Sequence, residues 1–208
     1  MSKTKINRSY PDDQFRLKGY SMYHRDRTKG GGEAHCLFLY IHSVKEIEIA
    51  QDQKEAGSYR ALMYDREERN IVLALYRPPK QSKGNNRSKY LQNVEEEMND
   101  LFQWSCLQKQ GIVILGDLNM DRLKPGQGEE KMLRDLEEVY NLSCLITKPS
   151  RVTMHSCTLL DVLLTNSPKL FNRCRVYNPE ISDLYMIYGK MKEKACKCKP
   201  SLSYLIKN

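Results

Sequence analysis

The chain has 208 residues, 40% hydrophobic and 29% charged, with a formal net charge of +8. That length suits one large domain or two small ones, and a single fold of this size buries roughly 70% of its unfolded surface without disulfide or metal staples. No apolar run approaches the ~20 residues that span a bilayer, no apolar stretch follows Met1 to Lys5 as a secretory signal would require, and seven scattered cysteines fit reduced thiols in a nuclear or cytoplasmic, not secreted, setting.

The charge sits at the ends. Residues 1–30 hold eight Lys/Arg against three acids, residues 190–199 hold five Lys and one Glu, and Lys207 adds one more. Basic ends on a near-neutral body suit a polyanion such as nucleic acid; solvated flanks that aid solubility are the other open reading. Gly30, Gly31 and Gly32 follow the basic stretch His24 to Arg27. Such a run can cradle a phosphate, but no helix start follows, so a turn into the short strand Cys36 to Ile41 is expected. Residues 42–70 read as further strands broken by charged turns. Ile71 to Tyr76 is a fully apolar strand ended by Arg77, Pro78 and Pro79, since proline cannot donate to a ladder.

Gln81 to Arg87 reads as a polar loop and Ser88 as an N-cap. Leu91, Val94, Met98 and Leu101 then recur at helical spacing, with Phe102 and Trp104 close by, which predicts a core-packing helix. Ile112 to Leu115, after Gly111, reads as a strand buried on both faces. It stops at Gly116, and Asp117 and Asn119 follow with one residue between them. In extended backbone residues two apart point the same way. A carboxylate therefore stands beside a carboxamide, an acceptor beside a donor–acceptor, as needed to hold and polarise an attacking water. An Asx-rich turn after a core strand fits the same letters, and Asp121 equally suits an N-cap or turn.

Pro125 to Gly128 makes a loop, and Met132, Leu133, Leu136, Val139 and Tyr140 mark a second amphipathic helix. Thr158 to Leu164 reads as a strand with one carboxylate, Asp161, among leucines, a costly placement unless the carboxylate is paired, hydrogen-bonded or near a metal. The last strand, Tyr185 to Tyr188, is introduced by Ile181, Ser182 and Asp183. Cys196 and Cys198 have the wrong spacing for a zinc knuckle. There are no repeats and no linker, so one α/β domain over residues 1–192 with a basic tail over 193–208 is expected. Carboxylates on separate strands converge readily at one sheet edge, where they bind a hard divalent ion such as Mg²⁺. A nucleotide-triphosphatase is excluded for want of G-x-x-x-x-G-K-[ST], and a Rossmann site for want of G-x-G-x-x-G.

The ordered segments Tyr76 to Pro79, Gly116 to Asp121, Pro149 to Thr153, Thr158 to Asp161 and Ile181 to Asp183 resemble the endonuclease/exonuclease/phosphatase superfamily. More narrowly, they resemble the endonuclease domain of animal non-LTR (LINE-type) retrotransposons, with Asp26, Arg27 and the three glycines fitting the same group. The resemblance covers roughly residues 8–192. It implies a four-layer α/β sandwich of two packed mixed sheets flanked by helices, and Mg²⁺-dependent nicking of DNA to leave a 3′ hydroxyl for reverse transcription, with a reverse transcriptase domain as the expected partner. It also implies roles. Asp117 and Asn119 match the pair that orients the attacking water and contacts the scissile phosphate, and Tyr76 matches the tyrosine that touches a phosphate oxygen. Asp161 supports the catalytic geometry, and Asp183 is a partner of the metal and of a catalytic histidine. Arg77, Arg151 and Ser182 are the expected DNA contacts.

Two departures from the family pattern stand out. The terminal S-D-H motif reads Ser182-Asp183-Leu184, so Leu184 occupies the catalytic histidine position and can move no proton, a loss that commonly costs 10²–10⁴-fold. The family also opens with a strand bearing an Asn and a strand ending in a metal-binding Glu, ahead of the segment resembling Phe15 to Gly32. Neither Glu33 nor Glu46 has that context, so a copy lacking its first strands is expected, with apolar surface and sheet edges exposed. Impaired endonuclease activity is the leading expectation. The alternatives are a non-catalytic nucleic-acid- or protein-binding remnant and another phosphoesterase branch of the superfamily.

Overall fold

The computed structural model describes residues 70–77, 87–108, 111–180 and 183–192, together with the strands β1 (Ser2–Thr4), β2 (Ser21–Arg25), β3 (Ala34–Leu39), β4 (Val44–Ile47) and β5 (Arg60–Arg66). The chain continues through β6 (Asn70–Tyr76), helix α1 (Arg87–Gln108), β7 (Gly111–Asp117), helix α2 (Gly128–Val139), β8 (Ser143–Cys144), β9 (Arg151–Val152), β10 (Cys157–Thr158), β11 (Asp161–Thr165), β12 (Phe171–Tyr177) and β13 (Met186–Met191). The glycine run 30–32, Ser182, the cysteines at 196 and 198 and the basic tail lie outside the described residues. No helix among the described residues is long and apolar enough to cross a membrane.

A six-stranded sheet in the order β4-β5-β6-β7-β11-β8 forms the centre. Only β6 and β7 run parallel, with α1 as their crossover, because parallel neighbours need a long connection. The other pairs are antiparallel. A second sheet orders β1-β3-β2, and β12 pairs with β13 in a hairpin with a bulge between Phe171 and Arg173.

The apolar alternation of β6, β7 and β11 divides the core in two. Ile71, Leu73, Leu75, Ile112, Ile114, Val162 and Leu164 face the helices and pack with Val94, Met98 and Phe102 of α1 and Met132, Leu133 and Leu136 of α2. Val72, Ala74, Val113 and Leu163 face the other way and meet Phe171, Cys174, Val176, Ile187 and Met191 of the hairpin. Each fully buried aliphatic side chain contributes about 1.5–3 kcal/mol relative to exposure. The result is the expected mixed α/β class, and of the four layers expected the described residues show three in succession: helices, central sheet and hairpin. The Phe102 and Tyr140 rings meet edge to face, centroids 5.9 Å apart at 83°, and the Tyr140 hydroxyl donates to Asn99 Oδ1 at 2.7 Å, tying α2 to α1.

Glycines make two close approaches possible. A Cβ on Gly116 would overlap the carbonyl oxygen of Leu75, so only glycine allows β6 and β7 to sit in this register. A Cβ on Gly189 would lie 2.7 Å from Leu163 Cδ1 and 2.8 Å from the Phe171 ring, so its absence seats the hairpin on the sheet.

The expected elements lie close to their sequence positions, except that Ser88, expected as an N-cap, falls inside α1, which begins at Arg87, and one correction bears on the site. Thr158 to Leu164 is not a single strand, because β10 ends at Thr158 and β11 begins at Asp161. Asp161 therefore opens its strand at the half-buried rim, which removes the cost of a carboxylate deep among leucines.

Candidate active site

Three of the expected residues stand in one cross-strand row. Asp117, the last residue of β7, is level with Tyr76 at the end of β6 and with Asp161 at the start of β11. Alternation puts all three on the face shared with Val72, Ala74, Val113 and Leu163, toward the hairpin layer. Tyr76 is buried, and Asp117 and Asp161 are half-buried.

Beyond Asp117 the chain turns sharply. The Asn119 backbone N–H donates to Asp117 Oδ1 at 2.9 Å, an Asx turn, and Asn119 adopts φ 50°, a left-handed conformation that asparagine tolerates better than most residues. Its Nδ2 donates to the Arg77 carbonyl at 2.7 Å, fixing the side-chain amide beside the row. The segment is the Asx turn that the letters also allowed, not a continued extended strand, and the turn sets the Asn119 amide at the end of β7. Leu118 and Met120 are fully buried on the helix side and anchor the turn. Asp121 takes the turn role: its Oδ1 accepts from the N–H groups of Leu123 and Leu159, both at 3.1 Å, and Lys124 Nζ lies 3.3 Å from its Oδ2.

Arg77, expected at the DNA, is 1% exposed and engaged internally. Its N–H donates to the Asp117 carbonyl at 2.9 Å, and Nη1 donates to the carbonyls of Leu118 at 2.9 Å and Asn119 at 3.3 Å. Nη2 reaches the Tyr90 hydroxyl and, at 2.8 Å, Glu129 Oε1, and the guanidinium lies 5.4 Å from the Tyr90 ring centroid. One side chain thus clamps the 117–119 turn to both helices. The sequence offered no signal for this, because an arginine after an apolar strand reads as a surface residue.

Asp183 and Arg151 are each other's partners, with Nε donating to Oδ2 at 2.9 Å, and both are partly exposed. Arg151 forms an antiparallel bridge with Leu184, which is 48% exposed at the position expected for histidine. Ser150, a buried residue that the sequence did not mark, joins this pair to the row. Its Oγ accepts from the N–H groups of Leu160 and Asp161, both at 3.2 Å, while its carbonyl accepts from Tyr185 N–H at 2.7 Å. Tyr76, Asp117, Asn119 and Asp161 therefore share one end of the central sheet, with Asp183 on the strand-like segment tied to it through Ser150.

Among the described residues no three His, Cys, Asp or Glu side chains form a metal-binding group. The donors at the sheet end, two carboxylates and one carboxamide, are oxygen ligands of the kind Mg²⁺ takes, and Mg²⁺ is commonly held by one or two carboxylates with waters and substrate phosphates completing its shell. The chemistry of the donor set therefore fits that ion.

No protein-family model and no curated protein matches the chain. Solved structures do. A Neisseria 3′ phosphatase, NExo, bound to a product DNA hairpin aligns with TM-score 0.64 and 11% identity, covering 92% of this chain and 87% of the other. An AP endonuclease from Archaeoglobus fulgidus gives TM-score 0.64 and 12% identity over the same shares of 92% and 87%. The endonuclease domain of TRAS1, a telomere-specific non-LTR retrotransposon, gives TM-score 0.56 and 13% identity, covering 84% of this chain and 80% of that domain. At such identities the likeness is one of architecture: the chain is built on the endonuclease/exonuclease/phosphatase-type fold that these proteins share.

Proposed function

We propose that the chain is a DNA-directed phosphodiesterase of the retrotransposon endonuclease kind, working with Mg²⁺ at reduced turnover. The observation that carries this reading is the in-register row Tyr76–Asp117–Asp161 with Asn119 fixed beside it. Asp117 accepts a hydrogen bond from the attacking water and aligns it. Asn119 contacts a phosphate oxygen, whereas Tyr76, at 2% exposure, backs the row from within the protein and does not touch the phosphate. Asp161, braced by Ser150, holds the carboxylate geometry. Bound Mg²⁺ would polarise the phosphate and offset charge developing on it, as such ions do in phosphoryl chemistry. Leu184 supplies neither a proton nor a positive charge, which sets the turnover low. The product strand would end in a 3′ hydroxyl suited to prime a reverse transcriptase.

Supercoiled plasmid incubated with the chain and Mg²⁺ tests this. Slow conversion to nicked circles, abolished by chelator and by Asp117→Ala, is expected; retardation of the plasmid without any nicks overturns the catalytic reading. A second reading, a DNA-binding scaffold without turnover, is favoured by one observation: the Asp183 carboxylate is already engaged by Arg151 beside Leu184.

A further inference from the structure

The β12–β13 hairpin has two unlike faces. Cys174, Val176, Ile187 and Met191 pack inward on the central sheet. Outward, Arg173 stands opposite Lys190, Arg175 opposite Tyr188 and Tyr177 opposite Met186, all exposed. The face thus carries three cations interleaved with two tyrosines and a methionine, and no carboxylate. Among the described residues none of the three cations has an ion pair. Like charges directly opposite on a sheet destabilise it, so the Arg173–Lys190 row is uncompensated within the described protein and complements an external anion. The Tyr177–Met186 end leads into residues 178–185, which hold Asp183 and Leu184 at the candidate site, so the cations run from that site along the hairpin.

Cations set among exposed aromatic rings are the combination that single-stranded nucleic acid uses, its phosphates on the charges and its bases stacked on the rings. We propose that the outer face of β12–β13 binds single-stranded DNA. The choice of DNA rests on the nuclease reading of the neighbouring site; the face itself does not require catalysis.

Binding of a fluorescein-labelled oligothymidylate, read by anisotropy in chelator with the Asp117→Ala chain, tests the proposal separately from cleavage. Replacing Arg173, Arg175 and Lys190 together with Gln should weaken binding at least tenfold at ~0.1 M salt and lower the slope of log affinity against log salt by about 2, at ~0.7 per single-strand phosphate released. Tyr188→Ala should weaken binding about fivefold or more with the slope unchanged, as loss of one stacked base would. These substitutions are at exposed positions, and an unchanged melting temperature verifies folding. Unaltered affinity and slope in the triple variant overturns the proposal, as does tighter holding of duplex DNA, RNA or anionic vesicles through the same residues.

Discussion

Replacing Arg77 with methionine keeps most of the side-chain volume and removes the guanidinium. The buried carbonyls of Leu118 and Asn119 lose their donor, and Glu129 loses its cation. Breaking a buried pair by deleting one partner costs about 3–5 kcal/mol. The Glu129 side chain is 27% exposed and can regain water, which places the cost near the lower bound, about 3 kcal/mol. For a chain of this size each kcal/mol moves the melting temperature by roughly 2–4 °C, so a fall of about 6–12 °C is expected by circular dichroism. Arg77→Lys retains the charge but cannot reach the turn carbonyls, Tyr90 and Glu129 together, so about half that loss is expected. A double cycle with Glu129→Gln should show coupling of about 1 kcal/mol or more, since both residues belong to one network. A loss below ~3 °C for Arg77→Met would refute the clamp.

Other perturbations follow from the same geometry. Gly116→Ala forces a methyl into the Leu75 carbonyl and should cost about 3 kcal/mol or more, read as loss of the cooperative urea transition. Asn119→Ala should cost about 1–2 kcal/mol from the left-handed backbone plus about 1 kcal/mol for the hydrogen bond to Arg77, whereas Asn119→Gly should recover most of the stability but not the nicking. Burial pushes the Cys144 thiol above the ordinary thiol range, so the folded state holds this proton more tightly than the unfolded state does. Its contribution to stability should be constant at neutral pH and be lost as pH rises past that range; urea midpoints measured across alkaline pH should fall less for Cys144→Ala than for the parent chain. Leu184→His, at a half-exposed position, should leave stability within about 0.5 kcal/mol and raise plasmid nicking only modestly.

Much of the central layer was legible because the apolar runs of β6 and β7 and the helical stripes of α1 and α2 follow burial directly. The position of Asp117 and Asn119 at a strand end was legible because Gly116 and the polar pair follow an apolar run, although the same letters also spell the Asx turn that forms there. What was not legible depended on partners distant in sequence. Arg77 looks like a surface cation until the 117–119 turn closes over it, and nothing in the local pattern around Ser150 shows that its hydroxyl caps the N–H of Asp161. The alternation in β12 was hidden for a different reason: its inward residues are Cys174 and Val176 among arginines, too weak a contrast to announce a strand. Asp161 was read as a strand-interior residue because the apolar residues Leu159 and Leu160 run straight into it, although the backbone breaks between β10 and β11.

The row of Tyr76, Asp117 and Asp161 also has a kinetic meaning. Two of its members come from parallel strands separated by the whole of α1, and the third arrives only after α2 and the β9–β10 segment have been laid down. Each junction closes a long loop before any contact at the sheet end rewards it. A one-residue slip in either pairing would turn one member of the row to the opposite face of the sheet. The site therefore exists only once both pairings have closed in this register.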